Sequence, residues 1–147
     1  MVNAKNDLID AGVVPDHIFV VNSSDISKSP GVAKLEKTMP GITELMHNVT
    51  VAYNANLNQA MTSTGTYYDI PASHIFSAYD TLNDVMNDPA QYGFNNTQDS
   101  CVGRGAMPYC DGYVFYDDKH PTVALGKVFA QKINQIISTQ TSAQRTL

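Results

Sequence analysis

The chain has 147 residues, of which 43% are hydrophobic and 16% are charged. This composition fits a single globular domain and excludes a highly charged disordered tail. Its 14 acidic and 9 basic residues give a formal net charge of −5, and no two basic residues are adjacent, so a nucleic-acid-binding surface is not expected.

The sequence predicts neither a membrane span nor a secretory signal. No apolar run approaches the roughly 20 residues that a transmembrane helix needs. The start of the chain also lacks the charged-then-apolar order of a signal peptide. As written, the chain is expected to carry no export signal and no transmembrane segment.

The first half of the chain predicts two helices on either side of a short strand. Residues 4–11 have helix-forming composition and end at Gly12, which suits a helix C-terminus. Residues 17–21 are apolar and β-branched and precede the polar run at 22–25, so they predict a buried, parallel strand. From Pro40 onward, the apolar residues that recur at helical steps and predict one helix face are Ile42, Leu45, Met46, Val49, Tyr53, Leu57, Ala60 and Met61.

The second half continues the alternation of strands and helices. Residues 66–70 predict a second strand, and a helix is expected from about Ser73 until just before Pro89. Residues 89–112 are dense in Asn, Gly and Asp and predict a loop. Residues 113–116 are expected to be extended.

A final amphipathic helix follows from about Leu125 and is expected to fray over residues 138–147. This order of elements is typical of an α/β layered domain. Two or three apolar strands are too few to bury both faces and both edges of a parallel sheet. The sequence therefore looks like part of a larger domain, and Met1, which leads straight into helical composition, favours the same interpretation.

Two cysteines, Cys101 and Cys110, lie in a stretch that also contains Gly103, Gly105 and Pro108. Turns at these residues can bring the two cysteine Cα atoms into bridging range. A zinc site would need more ligands than this pair offers. We expect a local disulfide, which would indicate an oxidising compartment, and two free thiols are the alternative.

Asp117 and His120 stand three residues apart, just ahead of the last predicted helix. A carboxylate can orient an imidazole, which then acts as the general base for a nucleophile. This arrangement predicts two members of a hydrolytic triad; the alternative is a helix-start imidazole that Asp117 caps. The other histidines, His17, His47 and His74, are expected to be packed or exposed to solvent.

Four segments occur in an order that resembles a known family. They are a strand and loop from Ile18 to Pro30, a Tyr-Asn-x-x-Leu helix signature at 53–57, a Gly-Phe-x-Asn segment at 93–96 ahead of the cysteines, and Phe-Tyr-Asp-x-x-His-Pro-Thr at 115–122. Together they resemble the C-terminal half of a GDSL-type SGNH lipase/acylhydrolase, in particular the bacterial secreted lysophospholipase and lecithinase-haemolysin branch. Tyr116 stands where that family usually has Trp.

The resemblance implies a partial three-layer SGNH-hydrolase fold, flavodoxin-like with a parallel sheet, in which residues 1–147 form one incomplete domain without its N-terminal strands. It implies Asp117 as the acid that orients the imidazole and His120 as the base that deprotonates a nucleophilic serine. The family's Gly-Asp-Ser and Gly-x-Asn-Asp blocks do not occur in this sequence. No metal or cofactor is implied.

Two functional hypotheses follow from the resemblance. In the first, the chain is the C-terminal part of a serine ester hydrolase acting on acyl esters of phospholipids or lysophospholipids. It would then be inactive alone and would need an N-terminal half supplied by another chain. In the second, it is a non-catalytic remnant or a binding module that associates with itself. The parent enzyme is expected to be secreted or periplasmic.

Overall fold

The structure is a computed structural model that describes residues 1–106 and 109–144. Five α-helices are present in these ranges: α1 (Val2–Asp10), α2 (Pro30–Glu36), α3 (Ile42–Thr62), α4 (Ala78–Asn87) and α5 (Val123–Gln144). Four short strands accompany them: β1 (Val20–Val21), β2 (Ile75–Phe76), β3 (Asn96–Ser100) and β4 (Tyr113–Phe115). In the described part of the chain, no helix is both long enough and apolar enough to cross a membrane.

The strands form two separate parallel pairs. β1 pairs with β2, and Val20 lies opposite Ile75; β3 pairs with β4, and Ser100 lies opposite Phe115. The described residues therefore form a mixed α/β structure with short parallel strands and no closed sheet. This agrees with the expected α/β class and with a parallel first strand, although only the last two residues of the predicted strand at 17–21 are paired.

Local sequence explains where the helices begin. The hydroxyl of Ser29 accepts a hydrogen bond from Val32 N–H and caps α2, and Pro30 occupies its first turn. The hydroxyl of Ser77 accepts one from Asp80 N–H in the same way and caps α4. α3 follows Gly41, whose φ of +91° favours glycine.

The second predicted strand was misplaced. Residues 66–70 lie in a turn, where the Asp69 carboxylate accepts hydrogen bonds from the backbone N–H groups of Thr64 and Gly65. The strand is instead Ile75–Phe76, inside the segment predicted to be helical, and α4 begins only after it. The turn-forming carboxylate therefore outweighs the β-propensity of the neighbouring tyrosines.

The segment 89–112 also departs from its predicted loop, because it contains β3. Its residues, Asn96 to Ser100, are polar, and Asn96 and Asp99 are of types depleted in strands. Pairing with β4 supplies the hydrogen bonds that keep this segment extended. The strand expected at 113–116 and the final helix are confirmed, and the helix runs on to Gln144 rather than fraying from residue 138.

Two clusters of buried side chains form the core. The first packs α1, β1 and the C-terminal end of α3 together through Ile9, Ile18, Val20, Leu57, Met61 and Ile70. The second packs α4, β4 and α5 together through Leu82, Val85, Phe94, Val114, Phe115 and Leu125. Phe115 and Leu125 of the second cluster flank the loop that follows β4 and so anchor both ends of the candidate site in the core.

The predicted apolar face of α3 is buried only near its C-terminal end. Leu57 and Met61 are in the core, whereas Leu45 and Val49 are each 53% exposed and Tyr53 is 46% exposed. The face was correctly placed on one side of the helix, but the described chain covers only part of it. We call Leu45, Val49 and Tyr53 the α3 stripe.

Candidate active site

The candidate site lies in the tight loop that follows β4. Tyr116 N–H donates to His120 C=O at 2.9 Å, and Phe115 forms an antiparallel bridge with Pro121. The loop then enters α5 through Thr122, whose hydroxyl donates to Tyr113 C=O at 2.8 Å. These bonds close the chain on itself and bring the carboxylate of Asp117 next to the imidazole of His120.

Asp117 is the centre of the hydrogen bonding in this loop. Its Oδ1 accepts from the backbone N–H groups of His120 and Lys119, at 2.7 and 2.8 Å, and its Oδ2 lies 2.8 Å from Nδ1 of His120. The two backbone N–H donors and then the imidazole lower the pKa of Asp117 from 3.8 to about 2. The side chain is therefore a carboxylate at neutral pH.

An ionised partner determines which imidazole nitrogen carries the proton. The Asp117 carboxylate can only accept, so Nδ1 of His120 is the donor, and a neutral ring then has its lone pair on Nε2. The His120 side chain is 73% exposed. Its free nitrogen is thus available to take a proton from a group that approaches from outside this loop.

An open groove of about 440 Å³ runs beside His120 and is also lined by Ser100, Val102, Gly103 and Asp117. Ser100 closes β3, and its hydroxyl accepts a hydrogen bond from Gly103 N–H at 3.0 Å. That bond uses a lone pair of the hydroxyl and holds it in the turn, and Ser100 is buried. The groove brings this serine and the imidazole to one surface.

The two cysteines form the expected disulfide, with their Cα atoms 5.5 Å apart. The alternative of two free thiols is thereby excluded. Cys101 is fully buried directly after β3, and its N–H donates to Phe115 C=O at 3.0 Å. The bridge thus anchors the wall of the groove to the strand that carries the Asp117 loop.

His17 and His74 have different environments, and neither contacts the candidate site. His17 is exposed in a 3₁₀ turn, as the expectation of packing or exposure allowed. His74 is buried, with Nδ1 3.2 Å from Ile18 C=O and its ring stacked on Phe19. In residues 1–106 and 109–144, no group of three or more His, Cys, Asp and Glu side chains could hold a metal ion.

His47 belongs to a second imidazole–carboxylate pair that the sequence interpretation missed. Its Nδ1 lies 2.8 Å from Oδ2 of Asp25, whose side chain has no solvent exposure. Burial acts to raise the pKa of Asp25, but hydrogen bonds from Ser27 and His47 outweigh it, and the pKa lies below 3.8. The pair was missed because its members are 22 residues apart; the only local signal was Asp25 ahead of a serine.

Comparison with known proteins gives a consistent set of relatives. No protein-family model matches the chain. The GDSL esterase/lipase EXL6 of Arabidopsis thaliana is 30% identical over 95 residues, which are 60% of this chain and 28% of that protein. The GDSL esterase/lipase EXL2 of the same plant is 32% identical over 105 residues, which are 59% of this chain and 25% of that protein.

The matched region is thus about a quarter of the length of these curated relatives. The relatives share a name that describes ester hydrolysis, and they match more than half of the chain. The chain is thus similar in sequence to part of the GDSL esterases and lipases, and its mixed α/β structure with short parallel strands is consistent with a fragment of such a protein.

Proposed function

We propose that the chain is the C-terminal part of a serine ester hydrolase in which Asp117 orients His120 and His120 is the general base. One observation carries the proposal: the Asp117 carboxylate holds Nδ1 of His120 at 2.8 Å while the ring faces an open groove. The names of the relatives, esterase and lipase, support a carboxylic ester as the substrate.

The reaction would proceed in two acyl transfers. Nε2 of His120 takes the proton from a serine hydroxyl as the oxygen attacks the ester carbonyl, and the imidazolium that forms is stabilised by Asp117. His120 then returns the proton to the leaving alcohol, which departs as the acyl-serine forms. Water attacks that acyl group with the same base, and the carboxylic acid and free serine are released. An acyl ester of a phospholipid or lysophospholipid is the proposed substrate.

The nucleophile is proposed to come from a separate N-terminal portion that carries a Gly-Asp-Ser block. This sequence contains no such block, and the matched region is about a quarter of the length of the relatives. The larger assembly would complete the parallel sheet into a three-layer, flavodoxin-like SGNH fold, of which residues 1–147 form one incomplete domain. The disulfide supports an oxidising compartment, secreted or periplasmic, for the parent enzyme.

The test is hydrolysis of p-nitrophenyl butyrate and lysophosphatidylcholine by the chain alone and after mixing with a separately expressed N-terminal half. We expect no turnover alone, turnover in the mixture, and its loss by at least about 10³-fold with His120→Ala. His17→Ala is the matched control and should leave turnover unchanged. Silence of a mixture that forms a complex would contradict the proposal.

Ser100 must be tested as an alternative nucleophile within this chain, because it lines the groove beside His120. Turnover by the chain alone that Ser100→Ala abolishes would show that the nucleophile lies in this chain. We expect a fluorophosphonate probe to leave the chain unlabelled, because the hydroxyl of Ser100 is buried and bonded to Gly103.

The α3 stripe favours a second candidate function, a non-catalytic module that associates with itself. An apolar helix face with Leu45 and Val49 more than half exposed is stabilised when another surface covers it. A dimer that persists in the presence of the N-terminal half, with no hydrolysis, would favour this candidate. Light scattering coupled to size exclusion separates the two.

A further inference from the structure

The proposed chemistry does not use Asp25, a buried carboxylate in the loop after β1. Its Oδ1 accepts hydrogen bonds from the backbone N–H and the hydroxyl of Ser27, at 3.1 and 2.6 Å. Its Oδ2 lies 2.8 Å from Nδ1 of His47 on α3. A buried carboxylate is costly unless its oxygens are bonded, so this arrangement fixes the loop against α3.

Asn54 holds the same loop two helical turns further along α3. Its side-chain oxygen accepts from Ser23 N–H at 2.9 Å, and its side-chain NH₂ donates to Ser23 C=O at 2.8 Å. α3 therefore holds the loop at two points. One is the pair of neutral hydrogen bonds between Asn54 and Ser23, and the other is the contact between His47 and Asp25.

The loop leads into α2, and the first turn of α2 contacts the loop of the candidate site. Gly31 N–H donates to Asp118 C=O at 2.9 Å. A Cβ on Gly31 would lie 2.8 Å from that oxygen, so a side chain there would force the two segments apart. Lys34, one turn later, pairs with the Asp118 carboxylate at 2.6 Å.

We propose that Asp25 and His47 are positioning residues that set the geometry of the Asp117–His120 pair through α2. Asp118 lies within the loop that holds both members of that pair, so a displacement of the first turn of α2 moves the loop itself. The role of this coupling in catalysis rests on the proposed function. The coupling itself can be measured on this chain alone.

The test follows two reporters by NMR on the full ¹⁵N-labelled chain. The first is the hydrogen exchange of Gly31 N–H, which reports the contact with Asp118. The second is the ¹⁵N spectrum of the His120 ring, which reports whether Nδ1 carries the proton bonded to Asp117. In His47→Leu we expect Gly31 N–H to exchange about tenfold faster, as loss of one hydrogen bond implies, and the Nδ1–H form of His120 to fall.

Two variants separate positioning from general loss of stability. His47→Gln keeps an N–H donor for Asp25 and should restore both reporters toward wild type. His17→Leu replaces an exposed histidine in the same way as His47→Leu does and should change neither reporter. Amide exchange within α4 should remain at its wild-type rate in His47→Leu, which a global destabilisation would not allow.

Should His47→Leu not fold by circular dichroism, Asp25→Asn replaces it with the same two reporters. Gly31→Ala tests the later link directly, and it should shift the His120 ring signals while leaving those of His47 unchanged. A folded His47→Leu or Asp25→Asn chain with both reporters unchanged would overturn the proposal. Hydrolysis by the mixed halves is not a readout here, so failure of the coupling and failure of the proposed function are told apart.

Discussion

Asp117 is held as an anion by the loop that it organises. Two backbone N–H groups and an imidazole converge on it, and they lower its pKa to about 2. In an unfolded chain, the same carboxyl would titrate near 3.9. Between these two values the unfolded state binds more protons than the folded state, so this carboxylate stabilises the fold above about pH 4 and the stabilisation is lost as the pH falls toward 2.

Replacing Asp117 with Asn removes that titration. We therefore expect the free energy of unfolding of Asp117→Asn to fall less steeply than that of the wild type between about pH 4.5 and 2.5. Urea unfolding at a series of pH values measures both slopes. Parallel slopes in the two proteins would show that Asp117 does not titrate with a lowered pKa.

The two imidazole–carboxylate pairs show which parts of a site the sequence reveals. Asp117 and His120 are three residues apart, so a single short sequence motif indicates both of them. Asp25 and His47 belong to a loop and a helix that meet only through the tertiary structure. No local sequence pattern indicates that contact. The sequence analysis therefore predicted only that His47 would be packed or exposed to solvent.

At the level of elements, side-chain caps explain helix starts that the sequence analysis did not predict: α2 was not expected, and the helix containing α4 was expected from about Ser73. Ser29 and Ser77 start α2 and α4 because a hydroxyl satisfies an otherwise unpaired N–H group. Strand pairing, in contrast, depends on neighbours. β3 could not be predicted from its own polar residues, because pairing with β4 holds it in an extended conformation.

The packing of α5, which follows the candidate site along the chain, gives a stability prediction. Leu125 is 1% exposed in the second core cluster, and Val123, two residues earlier on the same helix, is 78% exposed. Leu125→Ala should lower the free energy of unfolding by about 2–5 kcal/mol, because it removes buried methyl groups and leaves a cavity. Val123→Ala is the control and should change it by less than about 0.5 kcal/mol. Equal effects in chemical denaturation would contradict this placement of α5.

The disulfide should stabilise the element pair β3–β4. It closes a short loop between Cys101 and Cys110, nine residues apart, for which chain entropy predicts about 2–3 kcal/mol. The Cys101→Ala/Cys110→Ala double variant should lose about that much in urea unfolding. Wild type in excess dithiothreitol should lose a similar amount, whereas the double variant should not respond to the reductant. A double variant as stable as the oxidised wild type would show that the bridge contributes nothing.

At the scale of the whole molecule, the described chain has two small cores and two separate pairs of strands. β1 and β2 make one parallel pair and β3 and β4 another, and parallel sheets are ordinarily covered on both faces. The α3 stripe is likewise an apolar surface that the described chain leaves exposed. The sequence placed these residues on one face correctly, but periodicity cannot distinguish a face buried by its own chain from one buried by another.

The α3 stripe should therefore control assembly. Leu45→Glu/Val49→Glu puts two charges where an apolar partner surface would lie, and desolvating them costs far more than the wild-type side chains do. We expect sedimentation equilibrium to show at least tenfold weaker association of this variant, whether with the N-terminal half or with a second copy of the chain. Val123→Glu, on the exposed start of α5, adds a charge outside the stripe and should associate as the wild type does. An unchanged affinity in Leu45→Glu/Val49→Glu would mean that the stripe faces solvent in every assembly and that completion of the fold uses another surface.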